Sequence, residues 1–164
     1  PLDPADSHSS PHAPLSLPSR ALLMLDEWAW YPQGGWKGLG AVVARKQVDP
    51  SDWFFKAHFY QDPVIPGSLG LESCLEALKA AALEIWPQYR ESHTFSAILL
   101  ERPHRWLYRG QIIPRNCETT VHLSLTERGS DERPYLKGDC LVCADGTPIY
   151  ELQDFGVSLD VVLT

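Results

Sequence analysis

One stretch constrains what this chain can become. From Gly67 to Ile85 the apolar residues Leu71, Leu75, Leu78, Ala82 and Ile85 recur at spacings of four, three, four and three, and Pro87 prevents the pattern from continuing. It is the one convincing helical pattern. Its other faces carry Gly70, Ala77, Ala80 and Ala81, residues small enough to let another backbone approach closely. Such a helix is expected to be enclosed rather than to rest on a surface, and a sheet would wrap it.

Strand patterns flank the helix on both sides. Before it come Ala21 to Trp30 and Leu39 to Val48, separated by Pro32, Gly34 and Gly35. After it come Phe95 to Leu100, His104 to Gln111 and Thr119 to Thr126, where Val121, Leu123 and Leu125 alternate with Thr120, His122 and Ser124. Tyr135 to Ala144 and Pro148 to Leu159 follow, joined by Asp145-Gly146, a hairpin turn signal. Two strands, one long helix and a second run of antiparallel strands make an α+β domain with its helix packed on one sheet.

Residues 1–19 read differently. Pro1, Pro4, Pro11, Pro14 and Pro18 are interspersed with Ser, His and Asp, as in a linker or disordered segment, and residues 20–164 then form the folded domain. The chain begins without methionine, which suits a connector inside a longer polypeptide. His8 and His12 are read as solvated linker residues rather than metal ligands. A chain of 164 residues, 44% apolar and 21% charged, has one ordinary globular core and needs no disulfide or metal staple. Cys74, Cys117, Cys140 and Cys143 are too few for a disulfide scaffold, and the lone Cys140-x-x-Cys143 sits inside a strand pattern without a second pair. The net charge of −7 has the wrong sign for non-specific nucleic-acid binding. There is neither an apolar run of the roughly 20 residues that span a bilayer nor a signal-peptide start, so the expectation is a soluble, cytoplasmic protein. Ser96, Ser124 and Ser158 lack a nucleophile-elbow pattern.

The chemistry concentrates in Trp53 to Glu76, WFFKAHFYQDPVIPGSLGLESCLE. Pro63 and Pro66 bracket a rigid loop, and Gly67 lets backbone come close to a ligand where the helix begins. Free amides at that start, reinforced by the macrodipole, would stabilise negative charge on an oxygen placed there. His58 precedes the loop and Glu72 lies about one turn into the helix. Together they offer a base, an acid and an oxyanion site. Each alone has a plainer reading, His58 as a packed histidine between Phe55 and Phe59, and Glu72 as a carboxylate favoured by the helix dipole.

The ordered string from His58 to Glu72, with Asp62-Pro63-Val64 and Pro66-Gly67, resembles the active-site segment of the hotdog-fold β-hydroxyacyl-acyl-carrier-protein dehydratases. The similarity is greatest to the β-hydroxydecanoyl type and to the dehydratase domains of polyunsaturated fatty acid and polyketide synthases. Asp49 to Phe55 looks like the strand leading into the histidine, Tyr108 to Pro114 like the strand after the central helix, and Asp145-Gly146 through Asp154 like the final hairpin. The resemblance spans Leu17 to Asp160. It implies a long helix wrapped by a curved antiparallel sheet, a homodimer or a pairing with another hotdog domain, and a tunnel at the interface where His58 and Glu72 meet from opposite protomers.

It further implies that His58 removes the α-proton of a 3-hydroxyacyl thioester while Glu72 protonates the departing hydroxyl. The Gly67 amide would bind the thioester oxygen and the Val64 carbonyl would orient the imidazole. The acid needs a raised pKa, which an apolar tunnel would supply. No metal or organic cofactor is implied, the substrate riding on the phosphopantetheine arm of an acyl carrier protein. Glu72 stands where the β-hydroxydecanoyl type has aspartate, which favours dehydration over isomerisation of the product. Ser68, where that family often has cysteine, is assigned to packing or helix capping beside the oxyanion site. Arg102, Arg105, Arg109 and Arg115 are either solvated strand ends or a cationic patch for the acidic carrier protein. A hotdog thioesterase and a non-catalytic pseudodomain within a synthase are the rival functions.

Overall fold

The computed structural model describes residues 15–100 and 102–162. Seven strands form one antiparallel sheet: β1 (Glu27–Tyr31), β2 (Ala41–Gln47), β3 (His93–Phe95), β4 (Arg105–Tyr108), β5 (Glu118–Arg128), β6 (Tyr135–Ala144) and β7 (Thr147–Val161). Their order is β1-β2-β5-β6-β7-β3, and β4 pairs with the first half of β7. Beyond the short helix α1 (Trp53–Ala57), the long helix α2 (Gly67–Ile85) lies in the concave face of the sheet. This is the hotdog architecture.

The sheet curls at breaks in its register, one of which reverses the alternation of β7. On β7, Tyr150 and Leu152 point inward, Asp154 takes a left-handed backbone, and Phe155, Val157 and Leu159 then point inward in the opposite phase. The extra residue faces Gly138 and Cys140 of β6 as a bulge, and the Asp154 amide donates to Asp139 at 3.0 Å. The inward side chains of both halves therefore reach α2, whose Ala77, Leu78, Ala81 and Ala82 are fully buried against Val42, Leu123, Leu136 and Leu152.

The helix Gly67–Ile85 and strand Tyr135–Ala144 have the bounds that periodicity predicts, and Asp145-Gly146 forms the hairpin turn with both residues at positive φ. Four expectations are corrected. Asp49 to Phe55 is not a strand: Trp53–Ala57 is a helix that buries Phe54 and Phe55. Tyr108 to Pro114 is not a strand: β4 (Arg105–Tyr108) ends at its first residue, and Arg109 to Pro114 is loop. The strand pattern Ala21 to Trp30 narrows to Glu27–Tyr31, and Phe95 to Leu100 is not a strand beyond its first residue, which ends the strand His93–Phe95. Finally, Leu15 is not linker. It is buried in the core and its amide donates to the Arg90 carbonyl at 2.8 Å; residues 1–14, with His8 and His12, lie outside the described part.

Candidate active site

α1 ends at His58, whose amide closes the helix on the Phe54 carbonyl. The chain then reverses through Phe59 and Gln61, both held left-handed at φ 61°, a conformation non-glycine residues adopt only at a cost of about 1–3 kcal/mol. This reversal brings the Val64 carbonyl to 3.0 Å from His58 Nδ1. A carbonyl only accepts, so Nδ1 carries the proton and donates, which leaves Nε2 as the basic nitrogen. The Phe59 ring covers the imidazole at 4.1 Å. Val64 and Ile65 are buried, and the Ile65 amide bonds the Ile112 carbonyl at 2.9 Å, so the carbonyl that steers the histidine is itself fixed.

The loop delivers the chain into α2 without a cap. Pro66 occupies the N-cap and offers no side-chain acceptor, and no acidic residue lies in the first turn. Among the described residues the amides of Gly67 and Ser68 have no backbone acceptor, the first bond being Leu69 to the Pro66 carbonyl. These are two of the orphan donors every helix start carries, here left free. Ser68 is exposed and makes no capping bond, so neither expected role, packing nor capping, describes it. An aromatic wall stands over this start. A Cβ on Gly67 would sit 3.3 Å from the Tyr108 ring and 3.4 Å from Trp106.

Glu72 is half-buried and paired to Lys79 at 2.9 Å, two turns on along the same face. Among the described residues no hydrogen bond joins Glu72 to His58 within one chain. Between Glu72 and Lys79 lies Glu76, fully buried, with both carboxylate oxygens accepting the Met24 amide at 3.0 and 2.9 Å. Burial pushes its pKa up to about 7; the Met24 hydrogen bond opposes this and the Glu72 charge adds to it. Sequence reasoning missed Glu76. An acidic residue four positions after Glu72, beside the small Ala80 on the face away from the leucine stripe, was the available signal.

The four arginines are exposed and not gathered at one point. Arg109 reaches Glu151 at 3.6 Å, whereas Arg102 lies near Glu127 and helps hold that carboxyl below its ordinary range, behind the stronger Tyr135 hydrogen bond. Cys140 and Cys143 are free and buried. Among the described residues no group of three or more His, Cys, Asp or Glu is placed to hold a metal ion, and no helix is long and apolar enough to cross a membrane.

The fold, with the site at the start of its long helix, defines a hotdog domain. Residues 17–153 match the model of the FabA-like domain, and the chain belongs to that family. It is 32% identical over 130 residues to one subunit of the polyunsaturated fatty acid synthase of Thraustochytrium sp. (strain ATCC 26185 / S-3), covering 76% of this chain but 8% of that protein. Among solved structures it is similar in fold to the dehydratase heterocomplex ApeI:P from Xenorhabdus doucetiae, with TM-score 0.54, 12% identity and 92% of each chain covered. It is also similar to the thioesterase HI1161 from Haemophilus influenzae, with TM-score 0.51, 11% identity, and 76% of this chain and 74% of that one covered.

Proposed function

We propose that the domain dehydrates a 3-hydroxyacyl thioester presented by an acyl carrier protein, giving the 2-enoyl product. The observation that carries this reading is the His58 imidazole, donating from Nδ1 to Val64 and leaving Nε2 free, in the loop that leads to the uncapped start of α2. Such a base abstracts the α-proton at neutral pH without further activation. The charge that develops on the thioester oxygen is met by the Gly67 amide. Glu72 returns a proton to the leaving hydroxyl, so carbon–oxygen cleavage releases water.

Pairing completes the site in this reading. Among the described residues β4 is hydrogen-bonded on one side only; its Trp106 and Tyr108 are exposed, as are Phe59 and Tyr60 in the loop after His58. A second hotdog domain, identical or not, that continues the sheet there would cover these aromatics and bring its own acid toward His58. Arg105 and Arg109, at and just after this edge, would meet the acidic carrier.

Hydrolysis of the thioester is a second reading, favoured by one observation: Glu72 is ion-paired with Lys79, the charged form that activates water rather than donating a proton. Supplying a 3-hydroxyacyl thioester and recording enoyl absorbance against free thiol separates the two. Replacing His58 with Ala should leave the circular dichroism spectrum unchanged and lower enoyl formation by about 1,000-fold. Full turnover by that variant rejects the assigned base.

A further inference from the structure

Tyr150 is 1% exposed, and its hydroxyl has no hydrogen-bond partner among the described residues. A buried hydroxyl in that condition is costly, and native structures rarely keep one without a use. Its ring is tightly held: stacked on Tyr108 with centroids 4.9 Å apart, edge-on to Trp106 at 6.3 Å, and pressed against α2 at Gly70. A Cβ on Gly70 would lie 2.0 Å from Tyr150 Cε2, so the ring occupies a place that only glycine leaves open. Gly67 and Gly70 are three apart and share a helix face. The stacked pair runs along that stripe, Tyr108 over Gly67 and Tyr150 over Gly70. Among the described residues two unpartnered donors, the amides of Gly67 and Ser68, lie in the first turn of α2, and a third, the Tyr150 hydroxyl, belongs to the ring packed on Gly70 in that same turn. Burial, with Tyr108 adding to it, pushes the phenol above the ordinary tyrosine range, so it keeps its proton; no hydrogen bond of ordinary geometry joins the two hydroxyls.

We infer that the Tyr150 hydroxyl is a substrate-contacting donor that shares the thioester carbonyl oxygen with the amides at the start of α2. This rests on the dehydratase reading and adds a residue to it. A carbonyl oxygen gaining charge accepts two donors, and a side-chain hydroxyl preset by two aromatic neighbours needs no reorganisation as the charge grows. Because the interaction strengthens as charge develops, its loss falls on kcat more than on KM.

The test is Tyr150→Phe in the whole protein, with a 3-hydroxyacyl-pantetheine thioester as the probe. The expected result is a kcat lower by roughly 100-fold or more, KM changed by less than tenfold, and a melting temperature equal to or above that of the parent, because no protein hydrogen bond is removed. An unchanged kcat overturns the inference. So does a fall in kcat accompanied by a lower melting temperature, which would make the residue structural. His58→Ala, run alongside, tells the failures apart: if it too retains turnover, the dehydratase reading fails, and if it is inactive while Tyr150→Phe is not, only the present inference fails. Should no thioester turn over, an acyl-pantetheine ketone that keeps the carbonyl but has no leaving thiol serves as a binding probe. Tyr150→Phe then weakens it by roughly threefold to tenfold, and unaltered affinity overturns the inference.

Discussion

The two ends of α2 are built on opposite principles. At the far end Trp86 is fully buried, its amide returns to the Ala82 carbonyl, and its indole N–H donates to Asp131 at 2.8 Å. The Tyr89 hydroxyl bonds the backbone carbonyl of the same aspartate at 3.0 Å, and the Arg128 guanidinium lies over the indole. At the near end Pro66 caps nothing, and among the described residues the Gly67 and Ser68 amides have no acceptor and a buried tyrosine hydroxyl has no partner. One helix therefore carries a sealed end that stabilises and an open end whose polar groups await something else. The contrast teaches where to look for chemistry: at polar groups the fold has buried or exposed without satisfying.

Three measurements break or sharpen that contrast. The largest effect is expected in the middle of the helix, at Glu76. Its pKa is about 7 folded against an ordinary 4.5, so the native state holds a proton that the unfolded chain has lost between those values. The contribution of Glu76 to stability is therefore greatest below pH 4.5, falls as pH rises through 7 and is flat above, a loss of about 3 kcal/mol at most from this group. Urea unfolding of the parent and of Glu76→Gln across pH 4.5 to 8 checks this, the variant showing no such slope. Next is Gly70→Ala, whose new methyl meets the Tyr150 ring; overpacking should cost about 2 kcal/mol and reduce turnover together, read by melting and by enoyl formation. A stable, active Gly70→Ala would show that the aromatic wall is looser than drawn. Smallest is Trp86→Phe, which loses the indole bond to Asp131 and about 1 kcal/mol while kcat stays unchanged. A loss of activity there would erase the distinction between the ends.

Much of the candidate site was legible because it is local. His58, Val64 and Gly67 fall within ten residues, and proline and glycine punctuation marks the loop between them; that the Val64 carbonyl faces the imidazole was implied by the family resemblance, and the two lie 3.0 Å apart. The misreadings also have physical causes. The strand expected over Asp49 to Phe55 came from the family resemblance, and the short apolar run Trp53-Phe54-Phe55, whose periodicity suits strand or helix alike, folds as a helix. Leu15 sits among prolines that mimic a linker, yet a single backbone bond and an open place in the core were enough to order it.

What the chain's order of residues determined alone was a long amphipathic helix with a proline-glycine entrance, wrapped by strands, and a histidine leading into it. That information lies in periods of 3.6 and 2 and in turn chemistry, which neighbours along the chain decide. Tertiary structure decided which side chains close over that entrance. Tyr150 reaches Gly70, and Glu76 meets Met24, across 80 and 52 positions of sequence respectively. The first meeting depends on the register of β7 against β4 and β6, where a one-residue slip would turn Tyr150 to the opposite face, and the second on where the segment before β1 is laid against α2.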